Sequence, residues 1–159
     1  MKMKTLKMHT GFTLLEVMIA LVIFSIGLLG LAGLQSAGIR NNQISYARTI
    51  AQQLAYDMSD RIRNNPSVNY SGVTGASANC NTASCNSTTM AALDVFEWNA
   101  AITAAGGPLK NAAGFIAATA TGFTISIGWD ENSVGGGVAT ACNPPAPAGF
   151  VCVSVQIAP

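Results

Sequence analysis

The sequence predicts an α+β protein, in which a long N-terminal α-helix packs on a small antiparallel β-sheet head. Three observations lead to this fold class. An uncharged apolar run near the N-terminus continues directly into an amphipathic helical pattern. An Asn-Asn-Pro sequence would end that helix. The rest of the chain holds short alternating apolar segments and four cysteines, which is typical of a small sheet domain.

The apolar run is long enough to span a membrane. Residues 17–34 are 18 consecutive uncharged residues, about the length that crosses the hydrocarbon core of a bilayer. Three lysines lie within the first seven residues, and no positive cluster follows before Arg40, so we expect a cytoplasmic N-terminus and an exported C-terminal part. A cleaved secretory signal is the alternative. It fits less well, because the run is longer, Glu16 interrupts its front and no A-x-A pattern follows.

The helix is expected to continue beyond the apolar run, from Phe12 to Asn64. After Arg40 the pattern becomes amphipathic, and Asp57 lies four residues before Arg61, a spacing that adds an ion pair along the helix. The helix should end at Asn64-Asn65-Pro66, because Asn tolerates a left-handed cap and proline disfavours a helical residue before it. The predicted apolar face consists of Ile44, Ala47, Ala51, Leu54, Met58 and Ile62.

The remaining chain predicts a second helix and a small sheet. Residues 67–89 form a polar connection, and Thr89–Ala105 should form a short helix that ends at Gly106-Gly107-Pro108. We expect Trp98 to anchor the core from that helix. Its predicted apolar face consists of Ala91, Val95, Trp98 and Ile102. Residues 115–119, the alternating segment 122–129 and residues 150–157 predict an antiparallel sheet of three or four strands, with a hairpin turn at residues 135–137.

The four cysteines predict two local disulfides. Four cysteines allow three connectivities. We expect Cys80 to pair with Cys85 and Cys142 with Cys152, because these partners are nearest in sequence and enclose turn-rich segments. Disulfides are typical of an oxidising compartment. A zinc site would need closer cysteine pairs or histidines, so we predict no metal and no cofactor.

The residues at the front of the apolar run resemble a known processing signal. Gly11 to Glu16 read GFTLLE and follow a short basic stretch. They resemble the type III signal of type IV pilins and pseudopilins. The string EVMIALVIFSIGLLGLAGLQ and the later DMSDRIRNNP are most similar to PilV-type minor pilins, also called type IV pilus modification proteins. Minor pseudopilins of type II secretion share GFTLLEV and are the competing family.

The resemblance implies how the chain is processed and assembled. Prepilin peptidase would cut between Gly11 and Phe12 and methylate the new amine to give N-methylphenylalanine. Glu16 would pair with the N-terminal amine of a neighbouring subunit, a role that fits an ionisable residue within a membrane span. The domain organisation would then be a leader at 1–11, a transmembrane half-helix at 12–39, an amphipathic half-helix at 40–65 and a head at 66–159.

A structural role is expected, and catalysis is not. The only histidine, His9, lies in the leader, so the mature chain would lack a Ser-His or Cys-His pair. The carboxylate pairs Asp94/Glu97 and Asp130/Glu131 are interpreted as solvated charges. A formal net charge of +1, with 9% charged residues, argues against nucleic-acid binding.

The resemblance implies a minor pilin that helps to start pilus assembly and joins a tip complex, in support of adhesion and twitching motility. Its partners would be prepilin peptidase, other minor pilins, the major pilin, the inner-membrane assembly platform and a tip adhesin. It would reside in the inner membrane with a periplasmic head, and later in the pilus at the cell surface. The alternatives are a type II secretion minor pseudopilin and a membrane-anchored periplasmic binding module.

Overall fold

The structure, a computed structural model, describes residues 11–80, 84–131, 142 and 150–158. The hairpin turn expected at residues 135–137 lies outside this part of the chain. The described elements are α1 (Leu14–Asn64), α2 (Ser87–Ala104), β1 (Ala113–Thr119), β2 (Gly122–Asp130) and β3 (Phe150–Ile157). A long N-terminal apolar helix with a small antiparallel sheet confirms the predicted α+β, pilin-like fold class.

The chain divides into two compact units, Met1–Asn41 and Asn42–Pro159. The described part of the first unit is mainly the apolar half of α1, whose side chains are exposed on every side. An 18-residue stretch of α1 is strongly apolar, and none of it is buried. By length and composition, α1 is therefore able to cross a membrane, and it is the one such helix in the described part of the chain.

The second half of α1 contributes the predicted apolar face to the core of the head. Ala47, Ala51, Met58 and Ile62 are buried, while Ile44 and Leu54 are half-buried. The same face also buries Ala55 and Ser59. Three of these positions are alanines, so small side chains make up much of this buried face.

The end of α1 falls at Asn64, as the sequence predicts, but the expected left-handed cap is wrong. Among the described non-glycine residues, only Asn111 has a positive φ, of 52°. The Asn65 N–H instead donates to the Ile62 carbonyl at 3.1 Å, in a tightened last turn. The helix therefore stops because Pro66 restricts the residue before it and not because asparagine adopts a left-handed conformation.

The sheet has three strands in the order β1-β2-β3, and both pairs are antiparallel. In the register, Ile116 and Val155 flank Ile125, while Phe115 and Ser154 flank Ser126. We predicted that β2 is half-buried on alternate residues, but Ile125 to Asp130 are all buried. The difference arises because β2 is the central strand, so its neighbours cover small side chains such as Ser126 on the second face as well.

The second helix begins two residues earlier than predicted. Asn86 is its N-cap, and the Asn86 side-chain oxygen accepts from the Thr89 N–H at 2.8 Å. At the other end, the Gly106 N–H donates to the Thr103 carbonyl at 3.1 Å, which agrees with the predicted glycine stop. All four residues of the predicted apolar face are buried.

Trp98 is the core anchor that the sequence predicts. The side chain is 1% exposed, and its indole N–H donates to the Leu54 carbonyl of α1 at 2.8 Å. The ring lies directly against Gly114 of β1, where an added Cβ would overlap it. Trp98 therefore joins α1, α2 and the sheet, which places the core of the head between the helices and β2.

Candidate functional site

The predicted processing site lies just before α1. Gly11, Phe12 and Thr13 have no regular secondary structure and are exposed, and the Phe12 side chain is 83% exposed. We expected the helix to begin at Phe12, whereas it begins at Leu14. The peptide bond between Gly11 and Phe12 is therefore accessible and lies outside the helix.

Thr13 sets the start of α1, a role that was not predicted from the sequence. Its hydroxyl oxygen accepts from the Glu16 N–H at 3.3 Å, and its carbonyl accepts from the Val17 N–H at 3.3 Å. These contacts are those of an N-cap residue, which satisfies a backbone donor at the helix start. The pattern Thr-x-x-Glu at residues 13–16 is a capping-box sequence and could have identified Thr13.

Glu16 occupies the first turn of α1, with its side chain exposed. A carboxylate is favourable there, because the helix dipole leaves partial positive charge at the N-terminus. Glu16 is surrounded along the helix by apolar residues such as Leu15 and Val17, which are 70% and 46% exposed. The arrangement places one ionisable group on an otherwise apolar surface.

The head contains a polar cluster that was not predicted from the sequence. Asp94 and Glu97 were interpreted as solvated charges, and for Asp94 this is wrong, since its residue is 9% exposed. The Arg61 guanidinium donates to Glu97 at 2.8 Å, to Asp57 at 3.1 Å and to Asp94 at 3.2 Å. The Asp57–Arg61 pair within α1 confirms the predicted four-residue spacing.

Tyr70 and Asn65 complete the cluster. The fully buried Tyr70 hydroxyl donates to Asp94 at 2.7 Å. The Asn65 side-chain amide donates to the Tyr70 hydroxyl at 3.2 Å and to the Ser87 carbonyl at 2.8 Å. Tyr70 is the one aromatic residue in the polar connection 67–89, a signal that could have marked it as a core residue.

The environment of the cluster keeps the Tyr70 phenol and the Arg61 guanidinium protonated. Burial, together with the hydrogen bond to Asp94, raises the pKa of Tyr70 to about 12. Burial alone lowers the pKa of the Arg61 guanidinium. The hydrogen bond to Glu97 and the charge of Asp57 outweigh that effect, so the pKa lies above its ordinary value. The hydrogen bonds and ion pairs of the cluster link the end of α1, the following loop and α2.

The second carboxylate pair also differs from the expectation of solvated charges. Asp130 is 3% exposed at the end of β2. Glu131 forms an ion pair with Arg48 of α1 at 3.4 Å, where the Glu131 side chain is 15% exposed. Among the described residues, no group of three His, Cys, Asp or Glu side chains is arranged to hold a metal ion.

Two disulfides have the pairing that the sequence predicts. Cys80 bonds to Cys85, with their Cα atoms 5.3 Å apart, and Cys142 bonds to Cys152, with Cα atoms 5.8 Å apart. Cys85 directly precedes the N-cap of α2, and Cys152 lies in β3 opposite Gly128. One bond therefore fixes the approach to α2, and the other ties the chain before β3 to that strand.

The comparisons with known proteins concern the N-terminal region. Residues 6–32 match the family model of the prokaryotic N-terminal methylation motif. No curated protein and no solved structure matches the chain. The matched segment contains Gly11, Phe12, Thr13 and Glu16. The motif implies processing by prepilin peptidase in a pilus-assembly context, and with the apolar helix it fits membrane anchoring followed by incorporation into a pilus. These findings support a type IV pilin-like or pseudopilin protein with a structural role.

Proposed function

We propose that this chain is a minor pilin of the type IV pilus, which takes part in starting pilus assembly and in the tip complex. The observation that carries the proposal is the methylation motif at residues 6–32, which includes the first part of the exposed apolar helix α1. In this proposal, prepilin peptidase removes residues 1–11 and methylates Phe12. The head is periplasmic before assembly and reaches the cell surface with the pilus.

The physical basis is the exposed apolar half of α1. Large side chains including Leu14, Phe24 and Leu29 are 87%, 62% and 74% exposed. A soluble monomer rarely exposes so large a continuous apolar surface. Residues 12–39 would be buried first in lipid and later against the same part of neighbouring subunits. The segments 40–65 and 66–159 would form the rest of the helix and the head.

Glu16 would align neighbouring subunits. An isolated carboxylate in an apolar medium is costly unless a positive charge lies close to it. Cleavage after Gly11 creates such a charge, the amine of Phe12, on every subunit. A Glu16 carboxylate that pairs with the Phe12 amine of a neighbour would fix the axial position of one helix against the next.

The head would select the neighbours. In the described part of the head, two disulfides and a partly buried polar cluster around Arg61 link its elements, and these links would keep the contact surface in one arrangement. The partners are other minor pilins, the major pilin, the inner-membrane assembly platform and a tip adhesin. Adhesion and twitching motility would follow from a tip complex built on such a surface.

Mass spectrometry of the protein from cells with active prepilin peptidase tests the processing step. The expected chain begins at Phe12 and carries one added methyl group. The same protein from cells without the peptidase should retain residues 1–11. An intact leader in peptidase-positive cells would contradict the proposal.

Deletion of the gene separates the pilus from the type II secretion alternative, because the motif occurs in both families. We expect fewer surface pili and reduced twitching, with secretion of exported enzymes unchanged. Re-expression of the intact chain should restore piliation. Normal pili together with a secretion defect would assign the protein to a secretion pseudopilus instead.

A further inference from the structure

We infer that Thr13 positions the scissile bond for cleavage, because its side chain caps the N-terminus of α1 and keeps the Gly11–Phe12 peptide outside the helix. The inference rests on the proposed processing at Gly11 and names a further residue on which that step depends. Thr13 is a positioning residue, since the bond that breaks lies on the N-terminal side of Phe12.

The geometry consists of one side-chain contact and the helix boundary that it sets. The Thr13 hydroxyl accepts from the Glu16 N–H at 3.3 Å, and the first helical carbonyl is that of Thr13, which accepts from Val17. α1 starts at Leu14. Gly11 and Phe12 are exposed and have no regular secondary structure.

Without the cap, the residues at the helix start would favour a longer helix. Leucine is a good helix former, and Leu14 and Leu15 follow directly. Unsatisfied N–H groups in an apolar medium are costly, so an uncapped start would extend towards the N-terminus to find carbonyl acceptors. A helix longer by two residues would engage the Gly11 carbonyl with the Leu15 N–H.

Hydrolysis needs that carbonyl to be free. A water molecule adds to the Gly11 carbonyl carbon, the bond from that carbon to the Phe12 nitrogen breaks, and a proton passes to the leaving amine. In a helix, the same carbonyl accepts an intrahelical hydrogen bond and neighbouring side chains cover it. A cap at Thr13 therefore keeps the substrate in the conformation that a peptidase can reach.

The test compares cap-forming and cap-free variants of the full chain. Thr13→Val keeps the branched shape but removes the acceptor, whereas Thr13→Ser and Thr13→Asn both retain a good N-cap acceptor. Each full-length protein is inserted in membranes and mixed with membranes that contain prepilin peptidase, and leader removal is followed by mass. We expect cleavage of Thr13→Val to be about five-fold slower, the factor that corresponds to a cap of about 1 kcal/mol.

Rescue by the two cap-forming variants separates capping from recognition of threonine itself. Ser and Asn share with Thr only a side-chain oxygen that can accept the Glu16 N–H, so both should be cleaved at close to the wild-type rate. If the wild-type chain is cleaved and Thr13→Val is cleaved at the same rate, the inference is overturned and the proposed function stays intact. Ser and Asn variants as slow as Val would also overturn it. A wild-type chain that is not cleaved would overturn the proposed function together with the inference.

Discussion

Arg61 determines how three acidic residues are accommodated at the end of α1. Its guanidinium contacts Asp57, Asp94 and Glu97, and only Asp94 is largely removed from water. Asp57 and Glu97 have half-exposed side chains, so their contributions are reduced by solvent. Most of the stabilisation is therefore expected from the Arg61–Asp94–Tyr70 contacts.

Asp94→Ala should destabilise the head by about 2 kcal/mol, since it leaves the buried Tyr70 hydroxyl and part of the Arg61 guanidinium without an acceptor. Asp60→Ala is the matched control. Asp60 pairs with Arg63 at the surface, with side chains 71% and 57% exposed, and its loss should cost no more than about 0.5 kcal/mol. Urea unfolding of the full chain in detergent, followed by tryptophan fluorescence, gives both values. Equal costs for the two variants would contradict the assigned role of Asp94.

Tyr70 predicts a pH dependence at the alkaline end. Its pKa is raised to about 12 in the fold, against an ordinary value of 10.0. Folding therefore favours the protonated phenol, and this stabilisation is complete below pH 10 and is lost as the pH rises to about 12. An ultraviolet titration should show one phenolate that forms near pH 12 and is absent in Tyr70→Phe. A step near pH 12 that persists in Tyr70→Phe would show that another tyrosine is responsible.

At the scale of the elements, α2 packs against β1 where Trp98 and Ile102 lie close to Gly114. Gly114 faces the Trp98 ring, and an added Cβ would also lie 2.7 Å from the Ile102 terminal carbon. The absence of a side chain at Gly114 is therefore what lets the helix lie near the strand.

Gly114→Ala should destabilise the head by about 1–3 kcal/mol, because a well-packed core does not readily accept an extra methyl group. Gly107→Ala is the control, since a Cβ at that position would have nothing within 4 Å. Its effect should stay within about 0.5 kcal/mol. Thermal unfolding of both full-length variants provides the comparison, and a neutral Gly114→Ala would mean that α2 moves aside at little cost.

The elements were predictable wherever periodicity carried the signal. The apolar face of α1, the four buried residues of α2 and the positions of β2 and β3 follow from spacings of three to four or of two residues. The helix starts at Leu14 and Ser87 were missed because single side chains, Thr13 and Asn86, set them. Burial of Asp94 could not be predicted, because its partner Arg61 lies 33 residues away and only the folded chain brings them together.

At the scale of the whole molecule, the two units present different surfaces. The described part of the first unit is largely apolar, with Glu16 and Arg40 as its charged residues. The second has a buried core and a surface that includes four exposed large apolar residues, Tyr46, Tyr56, Met90 and Phe96. Lipid or like helices would cover the first surface, whereas the second surface suits contact with water and with specific neighbours.

Glu16→Val should enter the membrane normally but appear in sheared pili at a level at least about tenfold lower, because a charge pair in an apolar medium is lost. Glu16→Gln keeps the size and the Thr-x-x-Gln capping pattern but lacks the charge, so it should share the assembly defect. Quantitative immunoblots of membrane and sheared fractions give the two ratios. Normal incorporation of either variant would contradict the proposed pairing.

Tryptic digestion without reduction should separate the two disulfides. After Arg63, the only basic residue is Lys110, so trypsin yields residues 64–110 with Cys80 and Cys85, and residues 111–159 with the other pair. Each peptide should be found alone with one internal disulfide. A single crosslinked species that contains both peptides would refute the local pairing.

The short spans of the disulfides bear on how the head is made. The sequence separations are 5 and 10 residues, and closing so short a loop costs little chain entropy. With the head exported as proposed, each pair could oxidise as soon as its two cysteines have left the membrane, before the sheet has formed. Native pairing would then follow from the order in which the chain emerges, and no disulfide isomerase would be needed to prevent mispairing.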